Sequence, residues 1–205
     1  VVELLGSRPF GESALSLVDS APRWAARENK RVSVEVEGRD VPIPPRLARV
    51  LSGVLTHLVR NAVAHGVEVI DERERQGKPI PARIRLVAEQ EQRAPSARQT
   101  GPTIRVIDDG RGLDHAALEQ AAKDAQQSPE SIEEAAFAPG ITTKGNTSDA
   151  SRGSLHDATD LAGFGMGLSA VRTELRKIGY DARILERRDD GVVSGIEVIV
   201  SPTAR

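Results

Sequence analysis

A chain of 205 residues, 39% hydrophobic and 28% charged, is long and apolar enough for one sizeable α/β domain with its own core. A net charge of -2 and 2% aromatic residues exclude a general pull toward nucleic acid or anionic membrane, and exclude a base-stacking platform. With no cysteine, disulfides, thiolate catalysis and thiolate-bound zinc are excluded, and no apolar run approaches the ~20 residues of a membrane helix. This composition suits a cytoplasmic protein. The single Met lies at position 166, so a start at Val1 is expected to mark a domain cut from a longer chain.

Residues 1–13 show little periodicity and are expected to be a connecting segment. Ala14, Leu15, Leu17, Val18, Ala21 and Trp24 suit a helix that Pro22 must interrupt or restart. Strict alternation over 31–38 predicts a half-buried strand. The rigid Val41-Pro-Ile-Pro-Pro45 turn places a proline where a helix starts well. The helix that follows, 51–66, carries Leu51, Leu55, Leu58 and Ala62 as one buried stripe. On a neighbouring face His57, Asn61 and His65 fall four residues apart, and Gly66 stands at the expected C-cap. A carboxamide between two imidazoles is suited to hold a hard cation through its neutral oxygen and to handle a proton near neutral pH.

Residues 67–76 read as a short helix ended by Gly77, with Pro79 and Pro81 preventing continuation. Two strands, 83–88 and 103–107, flank a polar hairpin loop. Helices are predicted over 116–125 and 130–136. Residues 138–163 are rich in Gly, Ser, Thr and Asp and read as a long functional loop. A helix over 166–178 and a hairpin of strands, 182–186 and 195–200, turning at Asp189-Asp-Gly191, close the chain.

Three further patterns carry chemistry. Asp108-Asp-Gly-Arg-Gly-Leu113 follows a strand directly: a buried carboxylate there accepts a hydrogen bond from an amine, and Gly110 and Gly112 let backbone come close to a ligand. The alternate glycines of Gly163-Phe-Gly-Met-Gly-Leu168 open a helix whose free N–H groups suit an anion. Thr142, Thr143 and Lys144, in Phe137-Ala-Pro-Gly-Ile-Thr-Thr-Lys144, are placed to reach phosphates. No GxGxxG or P-loop pattern is present.

The order of these patterns resembles the ATP-binding (Bergerat) fold shared by gyrase, Hsp90, histidine kinases and MutL, and within it the catalytic domain of the chemotaxis-type histidine kinases, the CheA family. Leu58-Val-Arg-Asn-Ala-Val-Ala-His-Gly-Val-Glu68 is similar to that family's N box, and Glu74-Arg-Gln-Gly-Lys-Pro79 to the segment after it. Asp108-Asp-Gly-Arg-Gly-Leu113 is similar to the first glycine box, Ala136-Phe-Ala-Pro-Gly140 to the Phe-containing box, and 163–167 to the second glycine box. The resemblance runs over about 23–202, and His57, where most of the superfamily carries Glu, favours the chemotaxis branch.

The resemblance implies the following. Asn61 ligates Mg2+, with His57 beside it as base or second ligand, and Arg60 and His65 approach the phosphates. Asp108 holds the adenine amine in a pocket shaped by Gly110 and Gly112. Gly163, Gly165 and Gly167, with Met166 and Leu168, cradle the triphosphate under residues 138–163 acting as a mobile ATP lid. The family's C-terminal Gly-Thr-x-Thr stands here as Gly191-Val-Val-Ser194, leaving Ser194 alone to serve near the base. Ile141 replaces an aromatic, and the lid is longer than in most relatives.

The fold expected is a single two-layer α/β sandwich, a mixed and largely antiparallel sheet with helices on one face. The function expected is binding of ATP with Mg2+ and transfer of the γ-phosphoryl group to a histidine-containing phosphoacceptor domain. A response regulator and a coupling protein would be engaged through the full kinase, with the dimerisation domain outside this chain. The alternatives are a nucleotide-binding regulatory pseudokinase module and a gyrase- or MutL-like ATPase.

Overall fold

Alternation governs the sheet. In β2 (Val32–Glu37) Val32, Val34 and Val36 turn inward, while Glu35 and Glu37 are exposed. The computed structural model describes residues 6–90, 101–126, 128–137 and 168–203. Within these, β2, β4 (Ala82–Gln90), β5 (Pro102–Asp108), β7 (Val192–Pro202) and β6 (Tyr180–Asp189) form one five-stranded sheet in the order β2-β4-β5-β7-β6. Only the β2–β4 pair is parallel. The outward side chains form cross-strand ion pairs, Glu35–Arg83, Glu37–Arg85 and Glu89–Arg105–Glu197, that keep this face in water.

Helices cover the other face: α2 (Ser16–Ala26) beside β2, α3 (Pro45–Asn61) behind β5, α6 (Ile132–Ala135) and α7 (Leu168–Lys177) beside β6. Leu47, Leu51, Val54, Leu55 and Leu58 give α3 a continuous buried stripe against Ile84, Leu86 and Ile104 in one core. Pro45 occupies the first turn, where its missing N–H costs no bond. The remaining elements are β1 (Arg8–Pro9), α1 (Phe10–Ala14), β3 (Pro42–Ile43), α4 (Ile70–Arg75) and α5 (His115–Asp124). Among the described residues no helix is long and apolar enough to cross a membrane.

Three expectations change. Residues 8–13 are built into the domain: β1 pairs with β3, and Phe10, fully buried, anchors the start. A single aromatic does this, which periodicity cannot reveal. Pro22 does not interrupt α2. It removes one intrahelical bond, offset by burial of Leu17, Ala21 and Ala25 along one stripe. The helix expected over 67–76 begins only at Ile70, because the chain first runs extended at Val67 and buries Glu68.

The end of α3 departs from α geometry. Residues Ala62–Gly66 form a π turn, closed by Val67 N–H donating to Ala62 O at 2.8 Å. Its exposed carbonyls are taken by Lys30, a buried lysine whose Nζ donates to Val63 O at 2.6 Å and to Ala64 O at 2.8 Å. An ammonium at a helix C-terminus satisfies both orphan carbonyls and dipole.

Candidate functional site

The end of α3 delivers the first part of the site. His57 and Asn61, one α turn apart on α3, are joined by a 3.0 Å contact between Asn61 Nδ2 and His57 Nε2. An amide nitrogen only donates, so Nε2 accepts and the imidazole carries its proton on Nδ1. The bond fixes the carboxamide and leaves its oxygen for a ligand. His57 is buried and Asn61 half-buried. His65 lies within the π turn and is exposed, so the wider turn breaks the single row expected of His57, Asn61 and His65. Arg60, exposed, stacks its guanidinium over Trp24 of α2, 4.8 Å from the ring centre.

The second part is Asp108 at the end of β5, 3% exposed. Its Oδ1 accepts from Gly110 N–H at 3.0 Å and from Ile196 N–H at 3.4 Å. Burial pushes the carboxyl up to about 6; the two N–H bonds oppose this, while the charges of Asp109 and Glu68 add to it. Three glycines wall the group with bare backbone. A Cβ at Gly66 would stand 3.3 Å from Asp108 Oδ2, one at Gly110 2.3 Å from Gly66 O, and one at Gly195 2.0 Å from Asp108 O. Gly66 is therefore not the left-handed cap expected of it; its φ is not positive, and it is small because Asp108 sits against it. Gly112 does need its φ of +85°, and its Cβ would strike Val193 and Glu186.

Ser194, beside Gly195, has a buried Oγ with no hydrogen-bond partner among the described residues. A buried hydroxyl without a partner, one residue from the glycine that packs on the Asp108 carbonyl, suits a ligand that carries donors and acceptors. The turn after Asp108 is tied to β6 through Glu186, whose Oε1 accepts from Leu113 N–H at 3.2 Å and meets His115 Nε2 at 3.0 Å. Burial pushes Glu186 up, but the bonds from His115, Leu113 and Arg188 outweigh it and hold the carboxyl below its ordinary range.

A third part receives no role from the motifs. Glu68 and Arg73, each 1% exposed, lie behind the Asp108 turn and are joined by a 2.8 Å ion pair. Arg73 Nη2 also meets Asp109 Oδ2 at 3.1 Å, and Lys78 Nζ reaches Glu68 Oε1 at 2.5 Å and Gly110 O at 2.8 Å. Burial raises Glu68, but the Lys78 hydrogen bond, its own backbone N–H and the charges of Lys78 and Arg73 together hold it below its ordinary value. The resemblance takes Glu68 into the N box and Lys78 into the segment after it without giving either a role, and charged residue types give no sign that they are buried together with Arg73.

Leu168 opens α7. Thr142, Thr143, Lys144, Gly163, Gly165, Met166, Gly167 and the expected lid, 138–163, lie outside the described residues. Among the described residues no group of three His, Cys, Asp or Glu side chains could hold a metal. The donor set instead fits a cation that takes one neutral oxygen, from Asn61, and completes its shell with water and a ligand's own oxygens.

No family model matches the chain. It is 30% identical over 188 residues to the gliding motility regulatory protein of Myxococcus xanthus, covering 84% of this chain and 22% of that protein. It is 32% identical over 171 residues to the chemotaxis protein CheA of Cereibacter sphaeroides, covering 80% and 22%, and 30% identical over 163 residues to CheA of Halobacterium salinarum, covering 75% and 22%. The chain thus spans about a fifth of the length of these relatives. Among solved structures, the nucleotide-free catalytic domain of histidine kinase ThkA superposes with a TM-score of 0.55 at 15% identity, covering 97% of this chain and 95% of that one, a likeness of fold.

Proposed function

The chain belongs to the CheA family of histidine kinases, with the fold of a histidine-kinase catalytic domain, and on that premise we propose that it binds ATP with Mg2+ and transfers the γ-phosphoryl group to a histidine on a separate domain. The observation that carries this reading is the buried Asp108 carboxylate in its three-glycine niche. Asp108 accepts from the exocyclic amine of adenine, and Ser194 Oγ serves the same edge. Asn61, its carboxamide fixed by His57, offers its oxygen to Mg2+; bound Mg2+ neutralises charge on the phosphate oxygens. Thr142, Thr143, Lys144 and the glycines 163, 165 and 167, with Met166 and Leu168, line the phosphate side, and His65 approaches from the π turn.

In the transfer, the bond from the γ-phosphorus to the ADP oxygen breaks as a bond forms to the acceptor imidazole nitrogen. The imidazole's proton leaves, with His57 beside Asn61 as the base that takes it. Positioning and charge neutralisation supply most of the acceleration. The same reading places the domain in the cytoplasm, within a longer kinase that carries phosphoacceptor and dimerisation domains and engages a coupling protein and a response regulator.

Calorimetric titration of ATP, with and without Mg2+, on wild type and Asn61→Ala tests the reading. Wild type is expected to gain affinity with Mg2+, and Asn61→Ala to lose that gain while retaining metal-independent binding. A folded wild type that binds no ATP would leave a degenerate kinase fold used for partner contacts.

Arg60 supplies an optical test. To approach the phosphates its guanidinium must leave Trp24, the chain's only tryptophan. ATP is therefore expected to change Trp24 emission in wild type and not in Arg60→Ala. An equal change in both proteins would remove Arg60 from the phosphate site.

A further inference from the structure

We propose that Lys78, together with the Glu68–Arg73 pair, is a positioning residue of the base pocket: it holds the peptide that aims Asp108 at its ligand. The inference rests on the ATP-binding reading above and assigns a role to residues outside the expected site.

The geometry runs through one peptide unit. The peptide between Asp109 and Gly110 donates its N–H to Asp108 Oδ1 at 3.0 Å. Its carbonyl, Asp109 O, accepts from Arg73 Nη1 at 3.3 Å and from Lys78 Nζ at 3.5 Å. Lys78 also holds the next carbonyl, Gly110 O, at 2.8 Å. Two cations thus grip the oxygen end of the unit whose nitrogen end fixes the carboxylate. Gly110 backs directly onto Gly66 O, and Arg111 N–H donates to that same oxygen at 3.0 Å, so the turn cannot drift without disturbing the end of the Asn61 helix.

The cations are in turn held by Glu68. Its Oε2 accepts from Arg73 Nη1 and its Oε1 from Lys78 Nζ, which saturates both oxygens of a buried carboxylate. Arg73 is further pinned by Nε donating to Pro79 O at 2.9 Å. Glu68, Arg73, Lys78 and Asp109 sum to zero charge, which makes a buried cluster tolerable. Removing any one leaves an uncompensated charge behind Asp108.

That charge balance separates positioning from mere support of the fold. The charges acting on Asp108 are Asp109 in its own turn and Glu68 before α4, and these two carboxylates are paired by Arg73 on α4 and Lys78 after it. From β7 it meets Ile196 N–H and the Gly195 backbone, while Glu197 there points to Arg105 at 2.7 Å. From the π turn it meets Gly66. The ionised carboxylate is the form that accepts from an amine, so wild-type affinity for ATP falls as pH drops through about 6.

The test is ATP affinity measured by calorimetry from neutral pH to about pH 5 for wild type, Lys78→Met, Lys78→Arg and Glu68→Gln, each checked by thermal melting. The nucleotide's own titration is common to all and cancels from the differences. Lys78→Met is expected to bind about tenfold more weakly at neutral pH and to move the acid fall-off upward by about half a pH unit or more. Glu68→Gln, which removes a negative charge and keeps shape, is expected to move it downward. Lys78→Arg is expected to keep the wild-type profile. Should Lys78→Met melt below the assay temperature, Lys78→Gln carries the same change in charge. Wild-type affinity and profile in folded Lys78 variants, or equal weakening in Lys78→Met and Glu68→Gln with no movement of the fall-off, would overturn the proposal. Failure of the folded wild type to bind ATP at any pH would overturn the functional reading, and this inference with it.

Discussion

Replacing Asp108 by Asn is expected to weaken ATP binding about 100-fold, roughly 2.8 kcal/mol, while making the domain more stable. The loss follows from which atom faces the ligand. Oδ1 is committed to Gly110 N–H and Ile196 N–H. An asparagine must turn its oxygen to those two donors, so its NH2 replaces the oxygen that receives the adenine amine, and two donors meet. The same swap presents a donor to a 6-oxo purine, so discrimination against GTP is expected to shrink. The gain in stability follows from linkage. Folding lifts this carboxyl from its usual value to about 6. The folded state then binds more protons than the unfolded chain between about pH 4 and 6. The ionised carboxylate costs about 3 kcal/mol above that window, and the cost disappears as pH falls below the unfolded pKa. Removing the charge recovers part of it. Calorimetry for ATP and GTP and thermal melting at neutral pH measure both effects. A variant that keeps wild-type ATP affinity would remove Asp108 from the base site, whatever its melting temperature.

The trade explains what was legible in the sequence. Asp108 followed by Gly-x-Gly could be read because the chemistry needs a carboxylate on a strand end and bare backbone beside it, and both leave residue-type marks. Alternation marked β2, β4 and β5, the Asp189-Asp-Gly191 turn marked the closing hairpin of β6 and β7, and Pro45 with the Leu51–Leu55–Leu58 stripe marked α3. What could not be read depends on contacts between distant segments. Gly66 looked like a helix cap but is small because Asp108 packs on it. Gly195 stood in an ordinary strand, yet its missing Cβ admits the Asp108 carbonyl. The π turn moved His65 away from the His57–Asn61 row, since spacing by four assumes an α-helix throughout. Nothing in the sequence marked Lys30 or Lys78 for a role, and each ends on backbone carbonyls, Lys30 on those of the π turn and Lys78 on that of Gly110. Phe10, with the β1–β3 pairing and without a repeating pattern, brings residues expected to be a connector into the core.

The buried cluster behind the pocket predicts the largest effect on stability. Arg73→Met is expected to cost about 3–5 kcal/mol, because it strands the Glu68 carboxylate inside the protein with Lys78 as its remaining cation. Arg73 also loses its bonds to Pro79 O and Asp109 O and its ion pair with Asp109, whose Oδ1 is already a buried oxygen without a hydrogen-bond partner among the described residues. Pairing the change with Glu68→Met distinguishes a charge effect from a packing effect. If stranded charge dominates, the double variant is expected to recover much of the loss, since well-packed apolar side chains replace buried ion pairs at little cost. If instead the guanidinium's backbone bonds dominate, the two losses add. Urea unfolding of the four proteins of this cycle gives the coupling directly. A single-variant loss below about 1 kcal/mol would mean that water already reaches Glu68, contrary to its burial. Recovery of stability is not expected to bring back ATP affinity. The double variant leaves Lys78 as the one remaining cation on the 109–110 peptide, and the carboxylate that placed Lys78 there is gone. The cluster is thereby separable into a part that stabilises the fold and a part that aims Asp108.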